Sequence, residues 1–173
     1  MRRLMLLRHA KSARPEGVRD VDRPLSKRGR EAAARIGAYL ADEQLVPDRA
    51  LVSAARRARE TWDLVKPRLG DVSERFEPRI YEATADRLLA VVRETGSEVE
   101  TLLMVGHNPG FEDLAKRLAG SGERDAQKQL AQKYPTAALA VIDLAIEDWD
   151  DAAPRSGHLR RFVIPRSLGV QED

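Results

Sequence analysis

Three short apolar runs constrain this chain more than anything else in it. Arg3–Leu7 (RLMLL), Ala50–Ser53 (ALVS) and Thr101–Gly106 (TLLMVG) are near-continuous rather than alternating in hydrophobicity. That is the pattern of strands buried on both faces. Helical periods lie between and after them. Ala33, Ile36 and Leu40 share a face behind Ser26, a natural N-cap; Ala58, Trp62, Val65 and Leu69 form a second stripe. Ala85, Leu88, Leu89 and Val92 form a third, and Phe111, Leu114, Ala115 and Leu118 a fourth. Alternating strands and helices predict an α/β sandwich around a largely parallel sheet. The tail reads differently. Ala138–Ile146 and Leu159–Ile164 suggest two strands joined by EDWDDAAPRSG, an antiparallel pair at the sheet's edge.

At 173 residues the chain suits one domain spanning 1–173, and no linker or repeat divides it. Lys and Arg total 30 against 28 Asp and Glu, with both signs mixed along the sequence, so nothing points to nucleic acid. No apolar run reaches membrane-spanning length, and the first residues lack the pattern of a signal peptide, so a cytoplasmic protein is expected. The oligomeric state is not legible. There is no cysteine, which excludes disulfides, thiolate zinc sites and cysteine nucleophiles.

Two of the three histidines, His9 and His107, end buried runs, LMLLRH and TLLMVGH. In open α/β sheets ligands bind at the carboxyl ends of strands, so the two can meet in one cleft. Ser53 ends the third run and is followed by Arg56 and Arg57 at a helix start, a position unfavourable for cations unless an anion sits there. In GHNPGFEDLA a helix begins at Pro109-Gly110, so its free amides are expected to face the same end. Arginines, histidines and amides together suit a tetrahedral oxyanion such as phosphate. A metal held by both histidines and Glu82 is the competing arrangement, and the clustered arginines oppose it.

LRHAKS, DRPLSKRG, SAARRARET and VGHNPG, in that order, resemble the histidine phosphatase superfamily, most of all its small SixA-type phosphohistidine phosphatases. The resemblance runs from Leu4 to about Leu118. It implies a phosphoglycerate mutase-like fold, a three-layer α/β/α sandwich around a mostly parallel sheet. By the same resemblance His9 is the nucleophile, Arg8 a phosphate contact and His107 the second histidine, with the Asn108 amide assisting. The family's S-P-x-x-R-A-x-x-T pattern selects Arg57 over Arg56. Glu82 stands about where many members carry the acid that protonates the leaving oxygen; a solvent-facing glutamate before a helix is the alternative. Ala10 replaces the usual glycine, so the turn there must suit an L-residue. Ala54 replaces the usual proline.

The implied activity is a metal-independent, cofactor-free phosphatase working through a phosphohistidine intermediate on His9. Its expected substrate is a phosphohistidine protein or a small phosphoester. Two alternatives stay open: a non-catalytic phosphoresidue-binding module, opposed by the intact His9, Arg8, Arg57 and His107, and a mutase-like phosphotransferase, opposed by the lack of the longer insertions that mutases carry. The attacking histidine must be neutral. Nearby arginines should lower its pKa, and its other ring nitrogen needs an acceptor such as a backbone carbonyl. The polar stretch Glu123–Lys133 reads as an amphipathic surface helix using Ala126, Leu130 and Tyr134, or as a border of the cleft.

Overall fold

A computed structural model describes residues 1–170. In chain order its elements are β1 (Arg2–Arg8), α1 (Lys27–Asp42), β2 (Arg49–Ser53), α2 (Arg56–Val65), β3 (Ser73–Glu77) and α3 (Ala85–Arg93). There follow β4 (Thr101–Gly106), α4 (Gly110–Leu118), β5 (Ala119–Gly122), α5 (Arg124–Gln132), β6 (Leu139–Leu144) and β7 (Gly157–Val163). The sheet order is β3-β2-β4-β1-β6-β7-β5. β3, β2, β4 and β1 are parallel neighbours, β6 runs antiparallel to both β1 and β7, and β5 is parallel to β7.

The continuous apolar runs are explained by the two cores. Leu4, Leu6, Leu102 and Met104 face α3, α4 and α5, while Met5, Leu7, Leu103 and Val105 face α1 and α2. Both faces of residues 4–7 and 102–105 are therefore dry, and no polar residue interrupts them. The expected three-layer sandwich is what the chain forms.

Ser26 caps α1 as expected, its Oγ accepting the Gly29 amide at 3.1 Å. Gly29 has a second role: a Cβ there would collide with the Lys11 carbonyl, which accepts the Ser26 amide at 2.9 Å. The start of α1 thus lies directly on the segment after His9. The α2 stripe is shorter than its periodicity suggests. The helix ends at Val65, and a 3-10 turn over Lys66–Arg68 delivers Leu69 to the core, because Pro67 cannot continue the hydrogen-bond ladder.

The tail departs from expectation. β6 is fully buried between β1 and β7, and the edge belongs to β5, so the β6–β7 pair is not at the margin. β5 (AGSG) and the opposite edge strand β3 (SERFE) have no apolar run to announce them. Ala126, Leu130 and Tyr134 are buried as the α5 pattern predicts.

Candidate active site

The parallel pairing of β1 with β4 sets Arg8 opposite Gly106, so the next residues, His9 and His107, leave the sheet side by side. The His9 amide donates to the Gly106 carbonyl at 2.8 Å, and the two imidazole centroids are 5.2 Å apart. β2 lies on the other side of β4 with Val52 opposite Val105, which brings Ser53 to His107. Three strand ends thus meet at one point.

Hydrogen bonds orient both imidazoles, and a backbone carbonyl fixes the His9 tautomer. His9 Nδ1 lies 2.7 Å from the Ala10 carbonyl, which can only accept, so Nδ1 carries the proton and Nε2 the lone pair. The Ala10 amide donates to Thr61 Oγ1 at 3.0 Å, and that hydroxyl donates to the Arg57 carbonyl at 2.7 Å. The residue whose carbonyl orients His9 is thereby tied to α2. Ala10 is not among the positive-φ residues, so alanine meets no strain at the family's glycine position. His107 Nε2 lies 2.7 Å from Ser53 Oγ, which already accepts the Ala55 amide at 3.3 Å. The Ser53 hydroxyl can give its proton to Nε2, which leaves the His107 proton on Nδ1, the ring nitrogen without a protein partner.

The cations are held from outside. Arg57, 6% exposed, donates from Nη1 to the Asp20 carbonyl at 2.8 Å and from Nη2 to Asp20 Oδ2 at 3.1 Å. The Tyr81 hydroxyl donates to the same Oδ2, and the Tyr81 ring packs edge-on against His107 at 5.5 Å. Arg8 Nη1 and Asn108 Nδ2 both donate to the Tyr134 carbonyl, at 2.8 and 3.0 Å. Among the described residues five buried side-chain polar atoms have no partner in the protein, and three of them are Arg8 Nε, Arg57 Nε and His107 Nδ1. Buried polar atoms are seldom left unpaired, and these three are groups that an anion could engage.

Burial lowers the His9 pKa to about 3, with His107, Arg57 and Arg8 adding to the effect. The arginines act in the direction expected from sequence, but desolvation is the larger cause. His107 is lowered to about 4, again by burial first and then by Arg57. Asp20 is held well below the ordinary carboxylate range by the Tyr81 hydroxyl, Arg57 and Arg23. One consequence is a pH-dependent stability. Below pH 6.5 the unfolded chain binds protons at both histidines that the folded chain refuses, so stability falls as pH drops toward the folded values near 4 and 3 and levels off beneath them. The slope approaches about 1.4 kcal/mol per pH unit for each histidine. Tm should fall between pH 7 and 4.5, and a His9→Ala/His107→Ala double variant should lose much of that slope; an equal slope in the variant would contradict these shifts.

His9, Arg8, Arg57, His107 and Asn108 are thus gathered at one end of the sheet. Arg56 is exposed and pairs with Glu60 at 2.9 Å, in keeping with the choice of Arg57. Glu82 stands apart. It is exposed, follows a 3-10 turn over Pro78–Ile80 rather than a strand, has φ 57°, and interacts with the Tyr81 hydroxyl at the rim. The α4 amides are less available than expected: Phe111 N–H donates to the His107 carbonyl and Glu112 N–H to Asn108 Oδ1. His158 bonds Ser121 Oγ across β5 and β7. No group of three His, Cys, Asp or Glu among the described residues is placed to hold a metal, and no helix there is long and apolar enough to cross a membrane. Sequence reasoning missed Asp20, Thr61 and Tyr81, and Ser53 was seen as a strand end and as the first letter of the motif, without a role of its own. Thr61 had a signal, being the last letter of the S-P-x-x-R-A-x-x-T pattern; Asp20 had none.

The model of the histidine phosphatase superfamily (branch 1) matches residues 4–88. An uncharacterized protein of Mycobacterium tuberculosis is 37% identical over 162 residues, covering 92% of this chain and all of that one. Among solved structures, SixA of Nakamurella multipartitia superposes with a TM-score of 0.84 at 27% identity, covering 95% of this chain and 96% of its own. SixA of Agrobacterium tumefaciens gives 0.81 at 30% identity, covering 95% and 98%. With the two histidines, the two arginines and the strand order of that fold, the chain belongs to the histidine phosphatase superfamily, on its SixA-type branch.

Proposed function

We propose that this phosphatase transfers a phosphoryl group to His9 Nε2 and then to water, without a metal ion. The observation that carries the reading is the tautomer of His9. Its Nδ1 proton is committed to the Ala10 carbonyl and its pKa is lowered, so a neutral nucleophile stands ready at Nε2 between Arg8, Arg57 and His107. In the first step the Nε2–P bond forms as the bond from phosphorus to the leaving oxygen or nitrogen breaks, and the leaving group takes a proton. Charge spreads over three equatorial oxygens, which Arg8, Arg57, the His107 Nδ1 proton and the Asn108 backbone amide stabilise. Water then attacks phosphorus, the Nε2–P bond breaks, and inorganic phosphate departs with His9 neutral again. Two guanidinium groups supply the positive charge that a metal would otherwise bring.

The substrate read here is a phosphorylated histidine on a protein, the activity in the names of the SixA neighbours, or a small phosphoester. A nitrogen leaving group needs less protonation than an alkoxide. Glu82, beside Tyr81, is the proposed acid for oxygen esters. The cytoplasm is the compartment this reading assumes.

The test is phosphate release from a phosphomonoester and from a phosphohistidine protein, with and without EDTA. Turnover of at least one substrate, unchanged by the chelator, is expected. Loss of activity in EDTA would overturn the mechanism, and turnover of neither would favour a binding module. Ser53→Ala supplies a finer check, because the His107 ring would lose the partner of its Nε2. A loss of roughly ten- to a hundredfold in kcat is expected, the scale seen when the group that orients a metal-bound histidine is removed. Wild-type kcat in that variant would remove Ser53 from the account.

A further inference from the structure

Arg57 is gripped along one edge of its guanidinium by a single residue. Nη1 donates to the Asp20 carbonyl and Nη2 to Asp20 Oδ2, while Nε, at the opposite corner of the same plane, is buried without a protein partner. A guanidinium is flat, so two bonds to one residue fix its plane and decide which corner is presented elsewhere.

Asp20 is itself held. Its Oδ1 accepts Arg23 Nε at 3.0 Å, and its Oδ2 accepts the Tyr81 hydroxyl as well as Arg57. Arg23 also donates to Ser12 Oγ at 2.7 Å, on the segment that follows His9. The Tyr81 ring centre lies 5.9 Å from the Arg57 guanidinium carbon, and the same ring packs edge-on against His107. Donors from before α1, from the start of α2 and from beyond β3 therefore converge on one carboxylate.

The position of Asp20 makes this convergence informative. It belongs to a 3-10 turn, Asp20–Asp22, none of whose residues is buried, and its own side chain is 53% exposed. Core packing does not account for where it sits, and an ion pair this exposed adds little to stability. A carboxylate so near an anion site also repels the anion. Orientation of Arg57 is the gain that offsets that repulsion.

We propose that Asp20 is a positioning residue, which acts through Arg57 by setting the guanidinium plane so that Nε faces the phosphoryl group as its charge develops. The inference rests on the Arg57 role proposed above.

The test is a double-variant cycle in steady-state kinetics, with 4-nitrophenyl phosphate as substrate or, should it be inert, the phosphohistidine protein. Asp20→Ala keeps the backbone carbonyl and removes the carboxylate. It should lower kcat/KM by about ten- to a hundredfold, mostly in kcat, between the loss of one charged hydrogen bond and the misplacement of a reacting contact by about 1 Å. Added to Arg57→Ala, the same change should cost less than about twofold, because the group it positions is gone. Asp20→Asn, which keeps an oxygen acceptor there, should recover part of the loss. Asp22→Ala, from the same turn but bonded to Arg19, should leave the kinetics unchanged.

Wild-type kinetics in Asp20→Ala beside an impaired Arg57→Ala would overturn the positioning role and leave Arg57 in place. Equal losses from Asp20→Ala with and without Arg57 would overturn it too, since the effect would not pass through that guanidinium. Should Asp20→Ala fail to fold, Asp20→Asn takes its place in the cycle and the same two outcomes decide. If Arg57→Ala keeps wild-type activity, or the wild type turns over neither substrate, the Arg57 reading itself fails and Asp20 falls with it.

Discussion

His9→Ala is expected to reduce phosphate release by roughly ten-thousandfold or more, because the only nucleophile of the proposed cycle is gone. The residual rate would come from Arg8, Arg57 and His107 polarising a bound phosphoryl group toward water. The fold should survive. His9 lies just past β1, it contributes one side-chain bond to its neighbour's carbonyl, and the apolar residues of β1 hold the strand without it. Phosphate release should therefore be measured beside a circular-dichroism melt, and activity within tenfold of wild type would contradict the nucleophile assignment.

Arg57→Ala should have the second largest effect, about a hundred- to a thousandfold in kcat/KM, the usual consequence of removing one preorganised donor from a developing oxyanion. Arg57→Lys should recover only part of it. A lysine restores the charge but not the fork that binds Asp20 through two nitrogens and leaves Nε for the substrate. Arg56→Ala is the control from the next residue. Arg56 is exposed and bonded to Glu60, so its loss should leave steady-state kinetics unchanged. Equal effects at 56 and 57 would undo the assignment.

The legible part of this chain is the part governed by burial. RLMLL and TLLMVG are apolar on both faces because both faces are covered, and that pattern alone put His9 and His107 at equivalent strand ends. Parallel register then did the rest, setting Arg8 opposite Gly106. What sequence could not convey is how side chains orient one another. Asp20 holds Arg57 from a single 3-10 turn separated from it by 37 positions, with no periodicity to mark it. Ser53 looked like a strand terminus because its role depends on an alignment with β4 that only pairing reveals. β3 and β5 escaped notice for a different reason. One is polar and the other is built of Ala, Gly and Ser, so each is a strand by virtue of its neighbour rather than its own composition. The ordering of causes behind the lowered His9 pKa was also hidden, since the extent of burial is a tertiary quantity.

The central claim is a phosphoryl group carried on His9 Nε2. Rapid quench of the enzyme in alkali after mixing with substrate, followed by peptide mapping, tests it most directly. The expected result is an alkali-stable, acid-labile phosphoryl group on the peptide containing His9, formed and lost within one turnover and absent from His9→Ala. Turnover without any phosphorylated His9 peptide, or a stable label at another residue, would contradict the account.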